Sequence, residues 1–243
     1  MNILILLAGG SGNRMRSKDI PKQFLLVAGK PIIAYTLDKF ESSPDIDRIV
    51  IVCKEGYQEQ LQGYVDQYRI KKVAKIVPGG ETRQDSLYQG VRAAVELSDD
   101  PAGDIVLIHD AVRPTVSHEL IAKTIELAGK HGAVISVGRP IETIMIIGED
   151  GFVKEVKDRS ICRTGKAPHA YNLGLLSSIF EKSRADGKFG YIDDESMMYD
   201  YGIPLFTVEC SDTNIKITNR MDYIVFRSFI WAQEDSQFED ERI

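Results

Sequence analysis

Four near-continuous apolar runs, at residues 3–7, 48–53, 105–109 and 133–137, constrain this chain more than any other feature. A strand built from such a run has no polar face to turn toward water, so both of its sides must be covered. Stretches with helical spacing lie between the runs, at 31–42, 57–68, 86–97 and 117–131, together with a short strand at 75–77. Pro31 suits a first helical turn, and Ser117 suits a helix cap. Buried strands alternating with helices predict an α/β fold, a doubly wound, mostly parallel sheet with helices on both faces.

The rhythm changes between about 139 and 165. Residues 144–147, a turn at 149–151 and residues 152–156 read as a β-hairpin. Two strands alone are marginal in water, so this arm is expected to lean on something, commonly a second subunit. Helices at 173–184 and 194–201, a strand at 205–208 and a helix at 222–233 complete the reading. Without an internal repeat or a low-complexity linker, residues 1–243 are expected to form one domain carrying the arm. Residues 233–243 hold five acids and one arginine, and an acidic, solvated tail is expected from about 234.

A formal net charge of -6 speaks against a protein that holds nucleic acid by counterion release. An anionic ligand must then be met by local cations. Cys53, Cys162 and Cys210 are odd in number and widely spaced, which fits neither a disulfide framework nor a zinc site and favours a reducing cytoplasm. No signal segment or membrane span is read.

Four segments carry chemistry. The first apolar run empties into Ala8-Gly9-Gly10-Ser11-Gly12, with Arg14 and Lys22 beyond it. Glycines let backbone N–H groups approach a ligand closely, and amides beside fixed cations suit a triphosphate. The segment lacks the Gly-Lys-Ser/Thr of a P-loop and the third glycine of a dinucleotide fingerprint. Asp110, after the run at 105–109, stands where open α/β sheets bind ligands and suits Mg²⁺, or else caps the following turn. His109 reads as a packed residue. Gly79-Gly80-Glu81 leads toward Ser86, with Glu81 and Ser86 as alternative helix caps. Lys216, after Ser211-Asp212-Thr213-Asn214-Ile215, reads as pointing into the same cleft or as a surface lysine.

Together the blocks Leu-Ala-Gly-Gly-x-Gly-x-Arg-Met, Pro-Lys-Gln-Phe, Gly-Gly-x-x-Arg-x-x-Ser, His-Asp-Ala-Val-Arg-Pro and Asn-Ile-Lys-Ile-Thr closely resemble the polyol-phosphate cytidylyltransferases. The two best-known branches of that family use 2-C-methyl-D-erythritol 4-phosphate and ribitol 5-phosphate. The resemblance implies a Rossmann-like nucleotidyltransferase fold, a homodimer built partly by exchanged arms, and Mg²⁺-dependent attack of a substrate phosphate on the α-phosphorus of CTP. It implies that Arg14, Lys22 and Lys216 hold the triphosphate and stabilise growing charge, and that Asp110 holds Mg²⁺, with Asp212 as a second candidate ligand. Ala8, Gly9, Gly10, Gly12, Gly80, Glu81, Ser86 and Ala111 would meet the nucleotide. Arg113, Thr143 and Arg159 would meet the acceptor, Arg159 reaching in from the partner's arm.

The acceptor side departs from the family. Its Thr-Pro-Gln block is here Ala167-Pro168-His169, preceded by Lys166, and the methylerythritol branch's lysine is replaced by Met145. Lys166 and His169 therefore join the acceptor-binding candidates. The blocks around Gly9 and Val112 lie nearer the ribitol branch, so ribitol 5-phosphate stands ahead of methylerythritol phosphate. Another sugar or alditol phosphate or a phosphonate, and an inactive nucleotide-binding paralogue, are the alternatives.

Overall fold

A computed structural model describes residues 1–10 and 20–234. The strands are β1 (Asn2–Ala8), β2 (Leu26–Val27), β3 (Lys30–Pro31), β4 (Arg48–Cys53), β5 (Val73–Pro78), β6 (Ile105–Asp110), β7 (Ala133–Gly138), β8 (Met145–Ile147), β9 (Val153–Val156), β10 (Thr164–Asn172) and β11 (Phe206–Glu209). The helices are α1 (Ile32–Glu41), α2 (Gln58–Gln67), α3 (Arg83–Val95), α4 (His118–His131), α5 (Leu173–Ala185), α6 (Asp194–Asp200) and α7 (Arg220–Glu234). Seven strands form one sheet in the order β11-β7-β10-β6-β1-β4-β5.

The apolar runs occupy the sheet as their composition requires, because successive side chains feed opposite layers. Leu4, Leu6, Ile49, Ile51 and Leu107 pack with Ile33, Leu37 and Phe40 of α1 and with Leu120 and Ile121 of α4. Ile3, Ile5, Val50, Val52, Val106 and Ile108 pack with Leu87 and Val91 of α3, Phe180 of α5 and Met197 of α6. Gly90 lets α3 sit unusually close to the sheet, since a Cβ there would fall 2.6 Å from Ile5 Cγ2.

One inner strand departs from the expected pattern. β10 lies between β6 and β7 and runs antiparallel to both, where residues 164–172 carry no strand expectation. Its sequence hides it, since Pro168 cannot donate to a ladder and a proline argues against a central strand. The register breaks between Gly165 and His169, and this irregularity accommodates the proline. Side chains take up the backbone carbonyls there: Ser136 Oγ donates to Pro168 O at 2.6 Å, Asn214 Nδ2 to Ala167 O, and His169 Nε2 meets Lys166 O.

The hairpin of β8 and β9 forms as expected, with Gly151 at φ +82° in its turn. Both strands are exposed throughout. Helix α3 begins at Arg83, three residues earlier than its spacing indicates. Thr82 is its cap rather than Glu81 or Ser86, in a reciprocal capping box with Asp85. The tail expected from about 234 lies, beyond Glu234, outside the described residues.

Candidate active site

β1 and β6 are neighbours, with β4 on the far side of β1, so the chain changes winding direction between them. Ligands of open α/β sheets bind at such a switch point, outside the carboxyl ends of the strands. A cleft of about 350 Å³ opens there, lined by Ala8, Gly9 and Gly10 after β1, Lys22, residues 80–83 and Ser86 before and within α3, Asp110 at the end of β6, and Lys216. Nine candidates met separately along the sequence thus share one cavity. Ala111 is buried behind it, with its carbonyl accepting from Thr36 Oγ1 at 2.9 Å. Gly12 and Arg14 lie outside the described residues.

The loop glycines have steric reasons. A Cβ on Gly80 would meet Asp85 Cβ at 2.4 Å, and one on Gly79 would meet Ser86 Oγ at 2.9 Å. Gly80 N–H donates to Ser86 Oγ at 3.1 Å, tying the loop to the first turn of α3. Opposite, buried Gln23 donates from Nε2 to Ala8 O at 2.6 Å and so fixes the end of β1. A helix N-terminus beside a bare loop concentrates N–H groups and positive dipole, which favours a bound anion.

Asp110 is the electrostatic centre of the cleft. Its Oδ1 accepts from Lys216 Nζ at 3.0 Å and its Oδ2 from Arg113 Nε at 3.0 Å, while Lys216 Nζ is also 3.0 Å from Oδ2. Burial by itself would raise the Asp110 pKa, but the charges of Lys216, Arg113 and Arg83 outweigh it and hold the carboxyl well below the usual carboxylate range. Arg113 is buried and also donates from Nη1 to Asn214 O at 3.1 Å. His109 is a packed residue, its ring against Phe40 and its Nε2 3.1 Å from Arg113 O. Burial drives its pKa down to about 4, so it is neutral at neutral pH.

None of the acceptor candidates lines this cleft; Arg113 lies behind it, bonded to Asp110 and Asn214 O. Thr143 and Arg159 are exposed on the arm, and Arg159 lines a separate cavity of about 650 Å³ with Arg139, Asp158 and Arg163. Arg159 Nη1 donates to Ile141 O. Lys166 is half-buried on β10, and Asp212 is exposed and does not line the cleft. For His169 the expectation of direct acceptor contact is corrected. Its side chain is only 4 % exposed and both ring nitrogens are engaged, Nδ1 with Asp194 Oδ2 at 2.7 Å and Nε2 with Lys166 O.

Arg83 is a cleft residue to which the sequence alone assigns no role. It lines the cavity, and its Nη1 donates to Asp194 Oδ1 at 3.0 Å. Burial works against its charge, but Asp194 and Asp110 prevail and keep the guanidinium protonated. Its signal was the arginine inside the Gly-Gly-x-x-Arg block. Its partner Asp194, 111 residues away, has no sequence signal of comparable kind.

The fold and cleft define a nucleotidyltransferase. A profile of the IspD family, described as 2-C-methyl-D-erythritol 4-phosphate cytidylyltransferase, matches residues 2–231. The ribitol-5-phosphate cytidylyltransferase of Vibrio parahaemolyticus is 39% identical over 237 residues, 98% of this chain and 99% of the relative. The 2-C-methyl-D-erythritol 4-phosphate cytidylyltransferase of Clostridium botulinum strain Loch Maree is 40% identical over 224 residues, 92% of this chain and 95% of the relative. The crystal structure of 4-diphosphocytidyl-2C-methyl-D-erythritol synthase from Anaerococcus prevotii superposes with a TM-score of 0.81 at 28% identity, covering 95% of this chain and 96% of that one. The chain belongs to the IspD family of cytidylyltransferases.

Proposed function

We propose that this enzyme couples CMP from CTP to the phosphate of a polyol, ribitol 5-phosphate ahead of 2-C-methyl-D-erythritol 4-phosphate, and releases pyrophosphate. The observation that carries this reading is one ionised carboxylate, Asp110, bonded to Lys216 and Arg113 and lining one cleft with the glycine loop and Lys22. An acceptor phosphate oxygen attacks the α-phosphorus in line. The bond from that phosphorus to the bridging β-phosphate oxygen breaks, and pyrophosphate leaves with the electron pair. The acceptor oxygen is already ionised, so no general base is needed; alignment and charge neutralisation carry the reaction. Lys22, Lys216 and Arg14 act on the triphosphate, and the loop around Gly9 and Gly80 with Ser86 takes the nucleoside.

Asp110 fits Mg²⁺, a hard cation that takes one or two carboxylates together with phosphate oxygens. When bound, the ion would neutralise charge on the transferring phosphates. Asp110 lines the cleft and Asp212 does not, which supports assigning the metal to Asp110 ahead of Asp212. Incubation with CTP, Mg²⁺ and each polyol phosphate tests the reading: pyrophosphate release is expected with ribitol 5-phosphate, and release with neither acceptor would refute it.

We assign the arm to a homodimer in which Thr143 and Arg159 serve the partner's acceptor site. Its support is the apolar side chains that the arm leaves exposed, among them Ile146, Ile147, Phe152, Val153 and Ile161, since a lone hairpin gains little stability in water. Lys166 pairs with no acid among the described residues. This favours, as a second reading, an acceptor with more negative charge than ribitol 5-phosphate. No described helix is long and apolar enough to cross a membrane. The free thiols Cys53, Cys162 and Cys210 support a cytoplasmic setting.

A further inference from the structure

Beneath the wall of the cleft lies a cluster of buried charges that phosphoryl chemistry does not itself require. Asp194, at the start of α6, has its carboxylate fully buried. Oδ1 accepts from Arg83 Nη1 at 3.0 Å, and Oδ2 accepts from Tyr171 Oη at 2.8 Å and lies 2.7 Å from His169 Nδ1. The other ring nitrogen of His169 meets Lys166 O. A carboxylate and a carbonyl are both acceptors, so each ring nitrogen must carry a proton to bond its partner. The geometry therefore requires an imidazolium, and Asp194 stands between two cations.

The ligand atoms of His169, Asp194 and Glu195 lie within 4.8 Å of one another, as metal ligands would. A divalent ion does not suit the place, because both ring nitrogens of His169 face acceptors and so offer no lone pair, and a guanidinium already lies against Asp194. The cluster is an ion network with a direction. At one end, His169 holds the Lys166 carbonyl in the irregular part of β10. At the other, Arg83 lines the nucleotide cleft with only Nη1 partnered among the described residues, which leaves the other N–H groups of its fork for a ligand.

We propose that His169 is a positioning residue: as an imidazolium bound to Asp194 and to the Lys166 carbonyl, it fixes the guanidinium of Arg83 on the cleft wall, where Arg83 contacts a phosphate of the nucleotide. The contact with nucleotide rests on the function proposed above; the positioning of Arg83 does not. The family's glutamine at this place would be neutral, so His169 adds a second positive charge beside Asp194. The groups facing His169 are Asp194 and Glu195 from α6, Arg83 from α3, His109 from β6, and Tyr171 and Lys166 along its own strand. Burial works against the imidazolium, but Asp194 and Glu195 outweigh it and raise the pKa to about 8.

Two measurements on the full chain test this. Nitrogen-15 spectra are expected to show both ring nitrogens of His169 protonated at about pH 6 and one proton lost near the raised pKa, with the Arg83 Nε resonance moving at the same midpoint. A neutral ring at about pH 6, or an Arg83 resonance indifferent to His169, overturns the proposal whether or not CTP binds. Calorimetric titration of CTP then compares the wild type, His169→Gln, Arg83→Ala and the double variant. His169→Gln is expected to weaken CTP about tenfold by itself and to add nothing once Arg83 is gone. Additive losses would overturn the proposal. A wild type that takes up no CTP would refute the proposed function instead, and the spectra still decide the role of His169.

Discussion

Replacing Asp110 by asparagine isolates the electrostatic centre of the cleft. In the wild type one carboxylate faces Lys216 Nζ, 3.0 Å from each oxygen, and Arg113 Nε, 3.0 Å from Oδ2. An amide of the same shape has one acceptor oxygen and two N–H donors, so one cation would face donors instead of an acceptor. Arg113 is only 7% exposed and is tied to Asn214 O, whereas the Lys216 side chain, 36% exposed, can swing outward. Deleting one partner of a buried pair costs about 3–5 kcal/mol, and rehydration of Lys216 puts this case at the low end, about 3 kcal/mol. In a chain of 243 residues that loss lowers Tm by about 6–12 °C, at roughly 2–4 °C per kcal/mol. Calorimetry of wild type and Asp110→Asn without nucleotide, repeated across pH, reads it directly. The pH dependence has a definite sign. Folding depresses the Asp110 pKa, so its contribution is complete above the unfolded value of about 4 and is lost only as pH falls toward the folded one. The gap in Tm is therefore expected to stay flat from about pH 9 to about pH 5 and to narrow only below about pH 4. A gap under about 1 °C, or one already closed at about pH 6, would refute the reasoning.

Gly90→Ala places a methyl 2.6 Å from Ile5 Cγ2 and 2.9 Å from Val52 Cγ2. Overpacking of about 1–3 kcal/mol is expected to outweigh the roughly 0.5–1 kcal/mol gained by removing a helical glycine, so urea denaturation should show a net loss. A more stable variant would mean that α3 can back away from the sheet. Lys22→Ala is expected to lower kcat by at least ~10²-fold, as for loss of one charge stabiliser from a polar transition state; an unaltered kcat would reject its assignment. Arg159→Ala is expected to raise the acceptor KM while leaving CTP affinity alone, measured by pyrophosphate release and by calorimetry. Weakened CTP binding there would remove the arm from the acceptor site.

Residues close in sequence determined most of the layout by themselves. The apolar run 48–53 became β4 without a change of boundary, and Ser117 caps α4. Apolar periodicity and capping are local properties that the chain carries before it folds. The cleft was half legible in the same way, because glycines and cations after successive strands converge wherever parallel strands lie side by side. Only the tertiary structure decided the rest. Pro168 disguised β10, whose place between β6 and β7 depends on a bulge and on donors from Ser136 and Asn214. The same packing took His169 from the acceptor side into the interior and set it against Asp194, 25 residues on, with Arg83 arriving from 111 residues away. Buried ion pairs join groups that share no local pattern, and burial decides whether a histidine meets substrate or supports an arginine that does. No spacing rule within the chain encodes that.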